Sequence, residues 1–149
     1  CAQPFDGLRV LDVFAGTGAL GIEAISRGAV YALFMETDAG ARARIRENVE
    51  ALGLTGETKI FRRDATSPGP VGALAPFNLC FLDPPYAKGL GERAVAALAK
   101  GQWLAPHAVI VMEEKADVDI ICPDDFEAIE ARTWGETQVV FWRYTASRD

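Results

Sequence analysis

Residues that build metal centres and disulfide frameworks are scarce in this sequence. Its 149 residues include three cysteines and one histidine. Cys1, Cys80 and Cys122 are odd in number and far apart, which fits neither a disulfide framework nor the paired ligands of a zinc site. His107 has no cysteine or acidic partner at ligand spacing, so we expect no metal site. Cys80 lies inside an apolar run and is expected to be an unreactive core residue.

Long hydrophobic runs are absent as well. No apolar stretch approaches the roughly 20 residues that cross a membrane. The opening residues, CAQPFDG, lack the basic and apolar regions of a signal peptide, so we expect a cytoplasmic protein. Hydrophobic residues make up 50% of the chain and charged residues 24%, a balance typical of globular proteins. The length predicts a single domain over residues 1–149.

Positive charge is in short supply. The chain has 15 lysines and arginines against 21 aspartates and glutamates, for a net charge of −6. A nucleic-acid-binding surface needs lysine and arginine to contact phosphates, so any such contacts must be local. Arg62 and Arg63 are the candidates because they lie at the carboxyl end of a predicted strand. Arg42, Arg44 and Arg46 are spread around a predicted helix and are expected to face solvent.

What the sequence does contain is a regular alternation of strands and helices. Near-continuous apolar runs such as LRVLDVF are typical of strands buried on both faces of a parallel sheet. Thr37 or Asp38 is expected to cap the second helix, on which Ile45, Val49 and Leu52 share one face. Strands are predicted over 8–14, 30–36, 58–62, 77–83 and 108–113, and further helices over 19–28 and 89–100.

The last two apolar runs differ from the others. Runs 126–133 and 137–144 are predicted to form an antiparallel hairpin around a short turn at Trp134-Gly135. Trp134 and Trp142 are expected to pack in the core or the turn. Strands that alternate with helices predict a doubly wound α/β fold, and such sheets bind ligands at the carboxyl ends of their strands. The residues that follow each strand are therefore the candidates for function.

The stretch LDVFAGTGALG, residues 11–21, fits the glycine fingerprint of a dinucleotide-binding turn. Gly16, Gly18 and Gly21 indicate only that backbone approaches a ligand at a helix N-terminus. Asp12 separates the possible ligands. Its carboxylate would repel the pyrophosphate of NAD and attract the ammonium and sulfonium groups of S-adenosylmethionine, which we therefore favour. The alternative is that Asp12 only accepts hydrogen bonds from loop amides.

Acidic residues also follow the second and third predicted strands. Glu36 sits where a carboxylate can accept from both ribose hydroxyls, a feature that NAD and S-adenosylmethionine sites share. Asp64 has two possible roles: it accepts from an adenine amino group, or it caps the turn DATSP. A P-loop is excluded because Gly-Lys-Ser/Thr is missing. These residues indicate a nucleoside ligand.

The fourth predicted strand ends in Asp83-Pro84-Pro85-Tyr86. Two prolines in a row project rigid carbonyls with no competing N–H groups. Such an acceptor platform suits an exocyclic base amine. Asp83 and the Pro84 carbonyl would accept its two hydrogens while Tyr86 stacks on the ring, which aims the nitrogen lone pair at a methyl donor. The alternative is a buried turn in which the tyrosine only packs.

Together, residues 12–21, Glu36, Asp64 and the segment Asp83 to Tyr86 resemble the amino methyltransferases of the Rossmann-like class. The closest resemblance is to the bacterial 16S rRNA guanine-N2 methyltransferases of the RsmD type. It rests on LDVFAGTGALGIEAISRGA, LDPPY and the terminal hairpin, and covers residues 8–144. The resemblance implies a mostly parallel seven-stranded sheet and transfer of a methyl group from S-adenosylmethionine to the N2 amine of a guanine in 16S rRNA.

The resemblance also implies roles for individual residues. The methionine portion of S-adenosylmethionine would contact Phe14, Ala15, Gly16, Thr17 and Gly18. Glu36 would bind the ribose, Asp64 and Ala65 the adenine, and Asp83, Pro84, Pro85 and Tyr86 the target guanine. The implied partner is 16S rRNA within the small ribosomal subunit, and the implied state is a monomer. Family members usually carry a basic hairpin and helix ahead of the first strand, where we expect the basic part of the RNA footprint.

Other functions stay open on the residues alone. Asp-Pro-Pro-Tyr would present its acceptors equally to adenine N6 in DNA or to a glutamine side chain in protein. No stretch is long enough to be the target-recognition insertion that DNA enzymes generally need. A non-catalytic domain that binds RNA or a partner protein is a further alternative. An NAD oxidoreductase is disfavoured by Asp12 and by the lack of a suitably placed histidine.

Overall fold

The structure is a computed structural model that describes residues 5–86 and 88–146. Cys1 lies outside the described residues. Cys80 and Cys122 are free thiols, and Cys80 is fully buried. Burial raises the pKa of the Cys80 thiol well above its usual range, in agreement with an unreactive core residue. No helix in the described ranges is long and apolar enough to cross a membrane.

Seven strands and three α-helices make up the described part of the chain. They are β1 (Arg9–Val13), α1 (Ala19–Ser26), β2 (Tyr31–Met35), α2 (Ala39–Ala51), β3 (Thr58–Phe61), β4 (Phe77–Leu82), α3 (Leu90–Lys100), β5 (Leu104–Lys115), β6 (Phe126–Trp134) and β7 (Thr137–Tyr144). The sheet order is β3-β2-β1-β4-β5-β7-β6. Strands β1 to β5 pair in parallel, and β7 is antiparallel to both β5 and β6. The predicted doubly wound α/β fold with an antiparallel C-terminal hairpin is confirmed.

Alternate residues of the parallel strands are buried on opposite faces of the sheet. Leu11 and Val13 of β1 belong to the apolar layer that α3 covers, whereas Val10 belongs to the layer that α1 and α2 cover. Both layers are continuous with the neighbouring strands. Because β1 is buried on both faces, its sequence is a nearly unbroken apolar run. Apart from Arg9 at its start, the polar residue of β1 is Asp12, which is also buried.

The ends of the helices follow local turn chemistry. Asp38, rather than Thr37, caps α2, and its carboxylate accepts from the N–H of Ala41 at 2.7 Å. Leu52 lies beyond the last residue of α2 and is 59% exposed, so its expected place on the buried face is wrong. The chain leaves the helix there because Gly53, with φ 69°, turns it away.

Strand β5 is longer at both ends than the predicted run 108–113. Its first residues pair with β4 through a register shift, beside His107, which is exposed and has φ 66°. Its last residues, up to Lys115, pair with β7. The apolar run predicts only the central part because Pro106 and His107 interrupt it at one end and the charged residues Glu114 and Lys115 end it at the other.

The C-terminal hairpin turns one residue later than predicted. Trp134 pairs with Thr137, so the turn residues are Gly135 and Glu136. Trp134 is 57% exposed, and the expectation that it packs is wrong, whereas Trp142 is buried. Strand β6 forms an edge of the sheet and buries only its first residue, Phe126.

Candidate active site

A cavity of about 650 Å³ opens at the carboxyl ends of the parallel strands. This volume is typical of small-molecule sites, which span roughly 300–1,000 Å³. The chain passes from one side of β1 to the other between β3 and β4, and doubly wound sheets bind ligands at that point. The cavity is lined by Phe14, Met35, Glu36, Thr37, Arg63, Asp64, Ala65, Thr66, Asp83, Pro84, Pro85, Tyr86, Leu90 and Arg93.

The sequence-predicted site residues fall into two groups. Those that line the cavity are Phe14, Glu36, Asp64, Ala65, Asp83, Pro84, Pro85 and Tyr86. Asp12, Ala15, Gly16, Thr17 and Gly18 are all described but are not among its lining residues. Contact between the second group and a cofactor therefore stays a prediction.

Hydrogen bonds fix the glycine loop. The N–H of Gly16 donates to Glu36 Oε1 at 2.9 Å, and the N–H of Asp38 donates to Glu36 Oε2 at 3.1 Å. On the other side of the loop, the side chain of Asn48 donates to the Thr17 carbonyl at 3.1 Å. Glu36 therefore joins the end of β2 to the glycine loop, in addition to lining the cavity.

The backbone of the loop explains its glycines. Gly16 and Gly18 have φ angles of 60° and 78°, which favour glycine. A Cβ on Gly21 would lie 2.6 Å from Cε1 of the buried Phe34, so only glycine lets α1 pack this closely on the sheet. Phe14 has φ 56° despite its side chain, a conformation that costs about 1 kcal/mol. That strained residue lies in the cavity wall.

Arg42 is part of this arrangement. Its Nη1 donates to the carbonyls of Glu36 at 3.2 Å and Thr37 at 2.7 Å. The expectation that it only faces solvent is wrong, whereas Arg44 and Arg46 are exposed. Arg42 thereby holds the segment that follows β2.

Asp12 is buried in β1, with 3% of its surface exposed. Its Oδ2 accepts from the N–H of Gly21 at 2.9 Å, which is the loop-amide bond of the alternative interpretation. Burial, partly offset by this bond and reinforced by Asp83 and Glu36, raises the pKa of Asp12 to about 7. A contact between Asp12 and a cofactor ammonium stays a prediction.

Asp64 caps the turn that follows β3. Its Oδ1 accepts from the Thr66 N–H at 2.9 Å and from the Thr66 hydroxyl at 2.7 Å. These two bonds lower the pKa of the Asp64 carboxyl. The side chain also lines the cavity, beside the buried Ala65. The capping role is therefore present, and contact with an adenine stays a prediction.

The acceptor platform, Asp83 to Tyr86, begins directly after β4. Partial burial and the carboxylates of Glu113 and Glu114 raise the pKa of Asp83. Helix α3 backs the platform closely, since a Cβ on Gly91 would lie 3.3 Å from Pro84 Cγ. Because its pKa is raised, Asp83 takes up a proton more readily than an ordinary aspartate does.

Tyr86 forms the outer end of the platform. The residue is 43% exposed, and its hydroxyl donates to Glu113 Oε1 at 3.0 Å. This bond is the largest cause of a raised Tyr86 pKa. An exposed aromatic face in a cavity wall can stack on a planar base.

Two arginines reach the cavity. Arg63 packs over the rings of Phe61 and Trp103, at 4.8 and 5.7 Å from the ring centroids, and donates to the Pro68 carbonyl. Arg62 is exposed and does not line the cavity. Arg93, on the first turn of α3, is exposed and lowers the pKa of Asp64 through its charge.

Sequence reasoning missed several lining residues. Thr37 and Thr66 adjoin predicted ones, so their neighbours were a usable signal. No sequence signal pointed to Leu90 and Arg93, because their positions depend on how α3 packs against the sheet. In the described ranges, no group of three or more histidine, cysteine, aspartate or glutamate residues is placed to hold a metal ion.

The chain is similar in sequence to known methyltransferases. The model of a family described as Conserved hypothetical protein 95 matches residues 1–143. Ribosomal RNA small subunit methyltransferase D of Haemophilus influenzae is 32% identical over 127 residues, which are 84% of this chain and 66% of that protein. The chain belongs to the RsmD methyltransferase family.

Further family members agree with this assignment. Ribosomal RNA small subunit methyltransferase D of Escherichia coli strain K12 is 36% identical over 111 residues, which are 72% of this chain and 53% of that protein. The crystal structure of HI0767 from Haemophilus influenzae has a TM-score of 0.87 and 28% identity, and the match covers 96% of this chain and 90% of that chain. The matched region thus spans between half and two thirds of the two curated RsmD relatives.

Proposed function

We propose that this methyltransferase transfers a methyl group from S-adenosylmethionine to the exocyclic N2 amine of a guanine in 16S rRNA, within the small ribosomal subunit. The observation that carries the proposal is the acceptor platform, which shares one cavity with the ribose-binding candidate Glu36. The names of the Haemophilus and Escherichia relatives support rRNA as the substrate.

The residues of the cavity fit S-adenosylmethionine. Glu36 offers a carboxylate that backbone amides already orient, and Phe14, Met35 and Leu90 supply apolar wall for a bound cofactor. Glu36, Asp64 and Asp83 outnumber Arg63 and Arg93 in the lining, so its net charge is negative, which suits a sulfonium cation better than a pyrophosphate. When bound, S-adenosylmethionine supplies an electrophilic methyl group.

The platform prepares the amine for attack. The lone pair of guanine N2 is delocalised into the ring, and hydrogen bonds from both N–H groups to Asp83 and the Pro84 carbonyl help to localise it. Tyr86 stacks on the base and fixes the direction of approach. After transfer N2 loses a proton, and the raised pKa of Asp83 makes its carboxylate a suitable acceptor.

Positive charge at the cavity supports a polynucleotide substrate despite the acidic composition. Arg93 is exposed at the rim, whereas Arg63 is committed to two rings and a carbonyl. We assign Arg93 the contact with the phosphates that flank the flipped nucleotide, since a guanidinium binds phosphate oxygens in pairs.

The test is methyl transfer from labelled S-adenosylmethionine to unmodified small ribosomal subunits and to free 16S rRNA, with the protein at its natural length. Digestion of the product and identification of the modified nucleoside should give N2-methylguanosine. N6-methyladenosine would overturn the proposed base. Absence of RNA methylation, with methylation of DNA or of protein glutamine instead, would overturn the substrate class. Tight NAD binding without S-adenosylmethionine binding would overturn the donor.

Glu36→Ala is expected to weaken S-adenosylmethionine binding by about 1.5 to 3 kcal/mol, or roughly 10- to 150-fold in Kd. The substitution removes the ribose acceptors and also frees the N–H of Gly16, which Glu36 holds at 2.9 Å. Isothermal titration calorimetry measures the change.

Two further variants show whether the effect of Glu36→Ala is specific to this carboxylate. Glu36→Gln keeps one acceptor oxygen and should bind more tightly than Glu36→Ala. Glu50→Ala removes an exposed carboxylate from α2 and should bind like the unmodified protein. An unchanged dissociation constant for Glu36→Ala would remove Glu36 from the cofactor site.

A further inference from the structure

Two strands outside the acceptor platform hold the hydroxyl of Tyr86. The hydroxyl donates to Glu113 Oε1 at 3.0 Å, and the Thr137 side chain interacts with it so as to lower the Tyr86 pKa. Glu113 lies near the end of β5, and Thr137 is the first residue of β7. The phenol is therefore held by strands of the antiparallel part of the sheet. Its partner Glu113 lies 27 residues after Tyr86 in the chain.

Strand register places Glu113 beside the platform. Leu82 of β4 pairs with Met112 of β5, so the next residues, Asp83 and Glu113, follow side by side at the same sheet edge. Like charges on neighbouring strands destabilise a sheet, and Glu113 raises the pKa of Asp83. Stability alone does not explain a second carboxylate here, which points to a role in the site.

A half-exposed tyrosine on a loop would otherwise sample several rotamers. A hydrogen bond at the far end of the side chain restrains the χ1 angle, and because a phenolic O–H prefers the plane of the ring, it also favours one orientation of that plane. A ring that is already oriented can receive a base without a further ordering cost. The bond to Glu113 and the interaction with Thr137 therefore have their main effect on ring orientation, because a hydrogen bond of a partly exposed group adds little to folding stability.

We infer that Glu113 and Thr137 are positioning residues for methyl transfer, which orient the ring of Tyr86 toward the target base through its hydroxyl. The inference rests on the proposed function, because it assumes that Tyr86 stacks on that base. It extends the functional site from the parallel half of the sheet to the C-terminal hairpin.

A double-mutant cycle tests the inference. Tyr86→Phe, Glu113→Leu and Thr137→Val each remove one partner, and each should lower kcat/KM for the RNA substrate several-fold, by about 10-fold for Glu113→Leu. The double variant Tyr86→Phe/Glu113→Leu should have a kcat/KM no lower than that of the less active single variant, because both substitutions remove the same bond. Glu113→Gln keeps an acceptor oxygen and should retain most of the activity. The Kd for S-adenosylmethionine should stay unchanged throughout.

Matched controls make the same chemical changes on β6, away from Tyr86. Glu127→Leu and Thr133→Val alter exposed residues of β6 and should behave like the unmodified protein. Thermal unfolding of every variant reports any general loss of stability. Unaffected activity in Glu113→Leu, independent effects in the double variant, or equal losses in Glu113→Gln and Glu113→Leu would each overturn the inference.

A measurement without RNA separates this inference from the proposed function. In protein with ring-labelled tyrosine, NMR relaxation of the Tyr86 ring should show greater mobility in Glu113→Leu and Thr137→Val than in the unmodified protein. Unchanged mobility overturns the positioning role. If mobility rises but the unmodified protein makes no N2-methylguanosine, the assumed base contact fails with the proposed function, and so does the inference as stated.

Discussion

Asp83→Ala is expected to lower the rate of methyl transfer by about 10²- to 10³-fold and to leave the Kd for S-adenosylmethionine nearly unchanged. Asp83 would contact the target amine, whereas the cofactor candidates Glu36 and Phe14 lie in other parts of the cavity wall. Removing the carboxylate deletes an acceptor for the amine hydrogens and the acceptor for the released proton. Single-turnover transfer to small ribosomal subunits measures the rate, and calorimetry measures the Kd.

Asp83→Asn separates the two contributions of the carboxylate. Its amide oxygen still accepts a hydrogen bond but does not take up a proton, so its rate should fall between those of Asp83→Ala and the unmodified protein. Asp119→Ala removes an exposed carboxylate outside the cavity and should leave both constants unchanged. Full turnover by Asp83→Ala would refute the platform mechanism.

Asp12 is expected to make folding less favourable as pH rises from about 4 to 7. Burial raises its pKa from 3.8 to about 7 in the folded chain. In that interval the unfolded chain has released the proton while the folded chain still holds it, so the free energy of unfolding falls by about 1.4 kcal/mol per pH unit. Above pH 7 both states are ionised, and a penalty on the order of 4 kcal/mol remains.

Urea unfolding of the unmodified protein and of Asp12→Asn, from pH 4 to pH 8, measures this effect. The asparagine keeps an oxygen that accepts from the Gly21 N–H, and any cost of its buried amide is independent of pH. The stability of Asp12→Asn relative to the unmodified protein should therefore rise across the interval and level off near pH 7. Asp119→Asn should give a constant difference, and a constant difference for Asp12→Asn would show that Asp12 is ionised throughout.

Hydrophobic periodicity predicted the parallel half of the fold because strands that are buried on both faces share the same pattern, a near-continuous apolar run. β1 and β4 are buried on both faces, and their apolar runs match their extents to within two residues. β5 was predicted only in its centre because Pro106 and His107 precede the apolar run, and the charged residues Glu114 and Lys115, which pair with β7, follow it. Trp134 was misplaced because an aromatic residue in an edge strand need not be covered by another layer.

The candidate site residues could be predicted to meet at one edge of the sheet because of its topology. In a doubly wound sheet the residues that follow each parallel strand meet at the carboxyl end, and Glu36, Asp64 and Asp83 all do. Their hydrogen-bond partners could not be predicted. The bond from Gly16 to Glu36 spans 20 residues and depends on a side-chain rotamer, and the Tyr86 anchors depend on the order β5-β7.

The Glu36 bridge to the glycine loop bears on how quickly a ligand can bind. Glu36 and Asn48 hold the loop from two sides, so its shape is set when the chain folds. An incoming nucleoside then has no loop to order, and its association rate is governed by diffusion and by access through the open mouth of the cavity. Replacing Glu36 would consequently slow arrival as well as hasten departure, because each encounter would find the loop in its binding shape less often.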